Sequence, residues 1–273
     1  MLEHVLVSYY KIWHGKFHMK GSGAILSKAA PFLKSLHEYR LYLPEGHYVD
    51  VDFRDVSAMY WLNHQLNDTF EEKGLVNAVQ PFLRGNNVVW DIGANSGLLS
   101  YHLLRLNNID ELHLFEPNPR MSALATQAVS PFQQAEVHPF GLSDKNDDFT
   151  LTIPTGRTTM GTLEPYATNR HGMKCKVTCR LGDELVYENG FKPPTVIKID
   201  TEGHELTVFK GLSRTIAEHR PVIFFEHISL TTTEVESLRL KEYALFTVSD
   251  ATGELIPGTR EDAGHNSVLV PES

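Results

Sequence analysis

Short apolar runs alternate with amphipathic stretches through the middle of the chain. The apolar runs lie at 88–92, 112–115, 136–140, 195–199 and 222–225. Apolar positions with helical spacing follow the first two runs, at 98–106 and 121–129. Buried strands that alternate with helices are typical of a parallel sheet covered on both faces. The pattern therefore predicts an α/β fold.

The first part of the chain has two patterns of its own. Residues 1–48 are predicted to contain helices that are broken near Gly21 and Pro31. Residues 39–56 alternate between apolar and polar positions on both sides of a Pro-Glu-Gly turn, which indicates a hairpin. We assign residues 1–69 to an N-terminal extension that recognises a substrate or packs on the rest of the chain.

The remaining residues, 70–273, are predicted to form the main domain. This domain begins with a helix over 70–83. Between the third and fourth predicted strands, alternating apolar positions predict a β-rich insertion at about 149–182. Residues 245–248 and 267–270 predict two short strands that pair as a hairpin.

Charge is distributed unevenly along the 273 residues, whose formal net charge is −9. Residues 1–37 hold five lysines and a single acid, Glu3, so they carry +4 and the rest of the chain carries −13. An acidic body disfavours binding to nucleic acid, so we expect no nucleic-acid partner. The basic first 37 residues also contain aromatic side chains. They predict either a peripheral contact with an anionic acceptor or membrane, or a pair of solvated helices packed on the body.

The cysteine content and the apolar run lengths bear on where the protein works. Cys175 and Cys179 cannot build a disulfide framework, so no oxidising compartment is required. The spacing of the two cysteines is at most a weak indication of a zinc site. We expect both to serve as small apolar residues on one face of a strand. No run approaches the ~18 apolar residues of a membrane span, and the start of the chain lacks the features of a secretory signal. We therefore expect a cytoplasmic protein.

A glycine-containing loop, residues 91–97, joins the first core strand to the helix that follows it. Glycine lets such a loop turn sharply and approach a ligand closely, although Gly and Asn also close ordinary turns. The dinucleotide fingerprint G-x-G-x-x-G is broken here, because Asn95 and Leu98 stand where its second and third glycines would be. Asp91 at the strand end would repel a diphosphate and suit a cationic ligand.

The next two strand ends add polar groups at the same predicted edge of the sheet. Glu116 lies 19 residues after Gly97, where an acid can accept hydrogen bonds from both ribose hydroxyls. Ser143 and Asp144 follow the third strand, where a polar side chain can bind an adenine amino group. The alternatives are a surface acid for Glu116 and a turn or helix cap for Ser143 and Asp144. Together the three strand ends predict a nucleoside-type ligand.

Five strings within residues 70–271 together form a specific pattern, in their order along the chain and in their spacing. They are V-V-W-D-I-G-A-N-S-G, L-F-E-P-N-P, I-K-I-D-T-E-G-H-E, R-P-V-I-F-F-E-H and N-S-V-L-V-P. In these strings the chain resembles the FkbM family of S-adenosylmethionine-dependent methyltransferases. It departs from the common family pattern at Thr201 and His204, and residues 1–60 match little.

The resemblance implies a class I methyltransferase fold. That fold is a Rossmann-like sheet of seven strands, the last of them antiparallel, with helices on both faces. The implied cofactor is S-adenosyl-L-methionine. The residues expected to bind it are Asp91, Gly93, Ala94, Asn95, Gly97, Glu116, Pro117, Asn118, Ser143, Asp144 and Asp200.

Methyl transfer from a sulfonium is an in-line displacement that depends on alignment. A hydroxyl acceptor is a weak nucleophile and gains from a base. The fourth strand end supplies Asp200 and Glu202, and the fifth supplies Glu226 and His227. We predict that these four form the catalytic cluster, with Asp200 near the methyl donor and Glu202 or His227 as the base.

Two other interpretations of this cluster stay open. Glu202 suits the first turn of a helix, where the dipole favours an acid, so it has a structural as well as a catalytic interpretation. The four side chains are also of the kind that binds a divalent metal ion. Their spacing does not require them to converge, so we predict no metal.

The sequence therefore predicts an O-methyltransferase that acts on a hydroxyl of a sugar, a glycan or another natural product. The acceptor class follows from the resemblance, and N-methylation stays open. One alternative is a nicotinamide-dependent oxidoreductase, which the broken fingerprint disfavours. Another is a non-catalytic module that binds S-adenosylmethionine, which the dense polar strand ends disfavour. The acidic body disfavours an RNA methyltransferase.

Overall fold

A computed structural model describes most of the chain. The described residues are 7–8, 29, 32–44, 46–55, 57–67, 72–154, 161–163, 172–228, 230–238, 240, 242–259 and 263–272. Most of the predicted helical region before residue 32, including its predicted breaks near Gly21 and Pro31, and most of the basic segment 1–37 lie outside these residues. Within the described ranges, no helix combines the length and the apolar character that crossing a bilayer requires.

The strands and helices follow one another in the predicted alternation. The strands are β1 (Tyr39–Tyr42), β2 (Tyr48–Val51), β3 (Val88–Ile92), β4 (Glu111–Phe115), β5 (Ala135–His138), β6 (Gly141–Ser143), β7 (Asp147–Pro154), β8 (Thr162–Leu163), β9 (Gly172–Leu181), β10 (Val196–Ile199), β11 (Val222–Glu226), β12 (Tyr243–Val248), β13 (Leu255–Pro257) and β14 (Asn266–Pro271). The helices are α1 (Ser57–Asn67), α2 (Lys73–Val79), α3 (Leu98–Leu104), α4 (Pro119–Val129), α5 (Gly182–Tyr187), α6 (Glu205–Gly211), α7 (Ser213–His219) and α8 (Thr232–Ser237).

The main sheet confirms the predicted α/β fold. Its strand order is β13-β12-β14-β11-β10-β3-β4-β5. Strands β3, β4, β5, β10 and β11 are parallel, and β14 runs antiparallel to β11, as expected for the last strand. Eight strands are described rather than the predicted seven, because the short strand β13 pairs along the outer edge of β12. The predicted pairing between the two C-terminal strands is confirmed, and it is antiparallel.

The predicted β-rich insertion forms a second, four-stranded sheet in the order β6-β9-β7-β8. Its own small apolar cluster includes Leu151, Val177 and Cys179, with Cys175 packed beside them. Both cysteines therefore serve as small apolar residues on one face of a strand, as predicted. Burial raises the pKa of the Cys179 thiol to about 12, so the thiol stays protonated at neutral pH.

Apolar clusters cover both faces of the main sheet. On one face Trp90, Phe115 and Phe225 pack against helices α6 and α7. On the other, Leu112 and Phe224 pack against α2 and α3. Every residue of β3 is buried, as expected for the central strand of a parallel sheet covered on both sides.

The predicted N-terminal hairpin is formed by β1 and β2, and it packs on the main domain. Val49 and Trp61 share one buried cluster with Tyr101 of α3 and Leu124 of α4. Two hydrogen bonds to α4 add to this contact: the backbone N–H of Asp50 donates to Gln127 Oε1 over 2.7 Å, and the His47 ring lies 3.0 Å from the Ala128 carbonyl. The boundary at residue 69 stays a prediction, but apolar side chains of β1, β2 and α1 share a core with the helices beside the candidate site.

Candidate active site

The carboxyl ends of the central strands form a crevice at one edge of the sheet. Strand β3 lies between β4, which follows it in sequence, and β10, which comes about 100 residues later. Open α/β sheets bind ligands where the chain leaves neighbouring strands in opposite directions. Here the crevice holds two adjoining cavities, with about 720 Å³ and about 1310 Å³ of empty space counted to their open mouths.

The two cavities differ in their walls and share part of their floor. The first cavity is lined by Glu116, Pro117, Asn118, Met121, Gly141, Leu142, Leu151, Leu163, Thr201 and His204, among others. The second is lined by Tyr60, Glu72, Ala94, Lys198, Ile228, Asp250, His265 and Asn266, among others. Both are lined by Gly93, Asn95, Asp200, Glu202 and Glu226. The predicted cofactor loop and three of the four predicted catalytic residues therefore meet where the cavities join.

The glycine loop reaches this position because two of its residues have no side chain. Gly93 has a φ of +77°, and a Cβ there would lie 1.8 Å from the carbonyl oxygen of Asp200. Gly97 has a φ of +76°, and a Cβ there would lie 2.9 Å from the Cα of Ala125 in α4. Gly93 is thus placed at the junction of the cavities. Gly97, which lines neither cavity within the described chain, lets α3 and α4 approach each other.

Glu116 lies on the wall of the first cavity and is held in place by backbone donors. Its two carboxylate oxygens accept hydrogen bonds of 2.8 Å from the N–H groups of Asn95 and Asn118. Burial raises the pKa of Glu116 to about 7, although both backbone donors favour the charged form. Asn118 also caps α4 by accepting a hydrogen bond from the N–H of Arg120. The turn at 116–118 therefore presents a fixed set of hydrogen-bond acceptors to a ligand.

Ser143 and Asp144 are placed differently from the prediction. The buried Ser143 hydroxyl lies 3.1 Å from Nε2 of His204, while Asp144 is exposed. Within the described chain, neither side chain lines the two cavities; Gly141 and Leu142 take that part of the wall. The reason is that β6 turns away into the second sheet, so its end does not continue the edge formed by β3 and β4.

His204 itself lines the first cavity, which the sequence did not indicate. Burial lowers the pKa of its ring to about 4, so the imidazole is neutral at neutral pH. The ring packs edge-on against Phe149 of the insertion. His204 therefore joins the insertion to the loop after β10.

Asp91 forms a buried ion pair rather than an open site for a cation. Its side chain is fully buried and lies 3.2 Å from Nζ of Lys198 on β10. The Ser100 hydroxyl donates to its other oxygen over 2.7 Å. Lys198 also donates to the Gly93 carbonyl over 3.0 Å and lies 3.5 Å from Asp200. Within the described chain Asp91 lines neither cavity; it lies behind the glycine loop, and its partner is Lys198, which the sequence did not single out.

The charge of Lys198 is maintained in spite of its burial. Burial alone would lower the pKa of this ammonium, but the carboxylates of Asp91 and Asp200 outweigh that effect and raise it. Since Lys198 touches the glycine loop, β3 and Asp200 at once, it ties the three parts of the crevice together.

Asp200 and Glu202 lie on a tight loop between β10 and α6. The buried Glu205 carboxylate holds this loop from below, accepting hydrogen bonds from the N–H groups of Thr201 and Gly203 and from the Thr201 hydroxyl. Glu202 has a φ of +55°, in the left-handed region that non-glycine residues seldom occupy. Glu205 thus has the structural role that was considered for Glu202. Glu202 itself lines both cavities.

Glu226 faces this loop from the end of β11. Burial, together with the nearby carboxylates of Asp200 and Glu202, raises the pKa of Glu226 to about 9. Glu226 is therefore protonated at neutral pH and offers an O–H donor at the junction of the cavities.

Replacing Glu226 by Gln should change how stability depends on pH. The folded state keeps the Glu226 proton up to about pH 9, whereas the unfolded chain releases it near the ordinary value of 4.5. The wild-type free energy of unfolding should therefore fall, relative to Glu226→Gln, as pH rises through this window. Urea unfolding at pH 5, 7 and 9 should show the difference growing by more than about 1.4 kcal/mol, the equivalent of one pKa unit. Parallel pH curves for the two proteins would contradict the assignment.

His227 lies beside Glu226 but points into the body of the protein. Its buried ring lies 3.0 Å from the Ser267 hydroxyl on β14. The backbone N–H of His227 donates to the His265 carbonyl. Within the described chain it lines neither cavity. This placement favours Glu202 over His227 as the base that was predicted.

The metal alternative involves a slightly different set of residues from the one considered in the sequence. Oxygen atoms of Asp200, Glu205 and Glu226 lie within 4.8 Å of one another. However, the oxygens of Glu205 already accept hydrogen bonds from the loop, and Glu226 holds a proton. The arrangement supports hydrogen bonding and proton transfer better than metal coordination.

Comparison with known proteins gives the family of the chain. A family model described as the methyltransferase FkbM domain matches residues 91–252, more than half of the chain. The hexuronic acid methyltransferase AglP of Haloferax volcanii is 29% identical over 181 residues, which span 64% of this chain and 70% of that protein. The 2-O-methyltransferase NoeI of Sinorhizobium fredii is 27% identical over 146 residues, which span 49% of this chain and 60% of that protein.

A crystal structure of methyltransferase FkbM from Methylobacillus flagellatus is also similar. It is 18% identical, with a TM-score of 0.48, and the match covers 90% of this chain and 60% of that one. The domain match includes the glycine loop, Glu116 and the loop after β10. Because the family model matches more than half of its length, the chain belongs to the FkbM family of methyltransferases.

Proposed function

We propose that the protein transfers a methyl group from S-adenosyl-L-methionine to a hydroxyl group of a sugar or glycan. The observation that carries the proposal is the position of Glu202, which lines both cavities where they join. One cavity suits the methyl donor and the other suits the acceptor, so a base at the junction serves both.

The residues of the first cavity fit the adenosine part of the donor. Glu116 offers carboxylate oxygens to the two ribose hydroxyls. Met121, Leu142 and Leu163 provide apolar surfaces for the flat purine ring. The glycine loop and Asp200 lie at the other end of this cavity, where the acidic side chain suits the positively charged methionine part. When bound, the donor supplies an electrophilic methyl group on sulfonium.

The second cavity is the larger of these two, and its walls mix polar and apolar groups, which suits a sugar. Its walls combine Glu72, Asp250 and Asn266 with the exposed apolar side chain of Ile228. We propose that Glu202 accepts the proton of the acceptor hydroxyl as the new C–O bond forms and the methyl–sulfur bond of the donor breaks, with a neutral sulfide as the leaving group. The protonated Glu226 then donates a hydrogen bond that orients Glu202 or the acceptor, and Asp200 aligns the reacting groups.

The sugar assignment draws on the relatives. AglP is named a hexuronic acid methyltransferase and NoeI a 2-O-methyltransferase. The name of NoeI supports O-methylation, and the name of AglP supports a sugar acceptor. The identity of the sugar and the position of the hydroxyl are not shared by the two names, so we propose the class alone.

The test is an acceptor assay with the purified full-length protein and methyl-labelled S-adenosylmethionine. Glycosides of a neutral hexose, a hexuronic acid and an N-acetylhexosamine are offered beside glycan, glycolipid, RNA and protein fractions of a cell extract. We expect label on a sugar hydroxyl, located by mass spectrometry and absent with Glu202→Gln. Label found only in RNA or protein would contradict the proposal.

The nicotinamide alternative is tested in parallel by calorimetry with NAD and S-adenosylmethionine. The broken fingerprint at Asn95 and Leu98 predicts binding of the second ligand alone. Tight binding of NAD without binding of S-adenosylmethionine would favour an oxidoreductase.

A further inference from the structure

Two histidines and two acids lie together on β4 and β5, where the histidine rings pack near Phe115 and Phe191. His113 pairs in register with Glu136, and His138 is two residues further along β5. Nδ1 of His113 lies 3.0 Å from Nε2 of His138 and 4.0 Å from Oε2 of Glu136. None of these side chains belongs to the two cavities of the candidate active site as described.

The positions of these atoms suit a metal ion. One ligand atom from each of His113, Glu136 and His138 lies within 4.8 Å of the other two. In a tetrahedral zinc site the metal–nitrogen bonds are about 2.0–2.1 Å, so two such nitrogens lie roughly 3.3 Å apart. A shift of a few tenths of an ångström in two side chains would therefore produce that geometry.

Aromatic packing fixes the two imidazole rings in place. The His138 ring stacks on Phe115 with centroids 4.9 Å apart, and the His113 ring lies 5.0 Å from the Phe191 ring. The His138 residue is 6% exposed and the His113 side chain 12% exposed, whereas the Glu136 side chain is 67% exposed. The site is thus rigid on its histidine side and open to solvent on its carboxylate side, which gives an ion a route of entry.

The other nitrogen of His113 points to a carboxylate behind it. Among the residues that the structure describes, this buried Nε2 has no hydrogen-bond partner, and Oε2 of Glu111 lies 3.8 Å from it. Glu111 is itself held by Lys192. Histidines that bind metals usually donate their second N–H to such a carboxylate, which sets the tautomer and the ring orientation.

We propose that His113, His138 and Glu136 bind a divalent transition-metal ion, best matched by Zn²⁺, with Glu111 orienting His113. Two imidazoles and one carboxylate leave a fourth position for water. The carbonyl of His138 accepts a hydrogen bond from the N–H of Glu116 over 3.1 Å. The ion would therefore fasten the edge strand β5 to β4 directly beside the turn that carries Glu116. This site is independent of the proposed reaction.

The test is calorimetric titration of chelator-treated, full-length protein with ZnCl₂, followed by Co²⁺ as a spectroscopic probe. We expect one Zn²⁺ per chain, a higher Tm with the ion, and visible Co²⁺ absorption bands of a low-coordinate site. Affinity should fall at least about tenfold in Glu136→Gln, and at least about 100-fold in His138→Gln, because loss of an outer partner alone costs 10–100-fold.

The exposed Glu136 keeps the test decisive if the buried His138 variant fails to fold. His219→Gln is the matched control, since His219 is exposed at the end of α7, and its zinc affinity should stay within twofold of wild type. Absence of saturable binding in the wild type would show that the two histidines only share an N–H···N hydrogen bond. Binding that Glu136→Gln and His138→Gln leave unchanged would place the ion elsewhere. Either result overturns the proposal.

Discussion

Replacing Lys198 by Met should destabilise the protein by about 3–5 kcal/mol, the usual cost of removing one partner of a buried ion pair. Asp91 is fully buried, and Lys198 is its cationic partner at 3.2 Å. Met fills a similar volume but leaves the Asp91 charge, among the described side chains, with the Ser100 hydroxyl alone. Urea unfolding measured by circular dichroism gives the change in the free energy of unfolding. A typical domain is stable by about 5–15 kcal/mol in total, so this substitution should remove a large part of the free energy of unfolding.

A double-mutant cycle shows whether the loss comes from the stranded charge. Asp91→Asn combined with Lys198→Met removes both charges, so the double variant should be more stable than Lys198→Met alone. Lys145→Met is the control, because Lys145 forms a surface pair with Asp147 and should cost no more than about 1 kcal/mol. A loss of the same size in Lys145→Met, or a double variant less stable than both single variants, would contradict the ion-pair explanation.

Replacing Glu202 by Gln should lower turnover by about 10²–10⁴-fold, the range expected when a general base is lost. Gln keeps the size of the side chain, so affinity for S-adenosylmethionine should stay within a few-fold. Single-turnover transfer of labelled methyl, together with calorimetric binding of the cofactor, separates the two effects.

Two further variants distinguish the base from its neighbours. Glu188→Gln, at an exposed position after α5, should leave turnover unchanged. His227→Gln removes the contact with Ser267 and should lower stability more than it lowers turnover at saturating cofactor. Unchanged turnover in Glu202→Gln, or a larger loss of turnover in His227→Gln, would transfer the role of the base to another residue.

The sequence predicted those parts of the fold and site that depend on local pattern. Apolar runs located the core strands, because every residue of a central parallel strand such as β3 is buried. Gly93 and Glu116 were predicted from their positions next to strand ends, and the structure places both on the walls of the crevice. In each case the residues whose pattern led to the prediction lie within a few positions of the residue whose role was predicted.

The parts that the sequence did not predict depend on contacts between distant segments. Lys198 and Asp91 become neighbours only when β10 pairs with β3, and a lysine between two isoleucines gives no local sign of that partner. Ser143 turns towards His204 because the insertion moves the end of β6 away from the sheet edge. Glu202 and Glu205 look equivalent in sequence, and only the hydrogen bonds of Glu205 to the loop separate their roles.

The packing of the N-terminal hairpin on α3 and α4 has a consequence for protein engineering. Because Val49 and Trp61 share a core with Tyr101 and Leu124, the extension is not a detachable module. A chimaera that exchanges residues 1–69 between relatives would place a foreign hairpin on native helices, and those helices follow the glycine loop and the Glu116 turn. Such a chimaera is therefore best made with the junction after α4, so that each hairpin stays with the two helices it packs against.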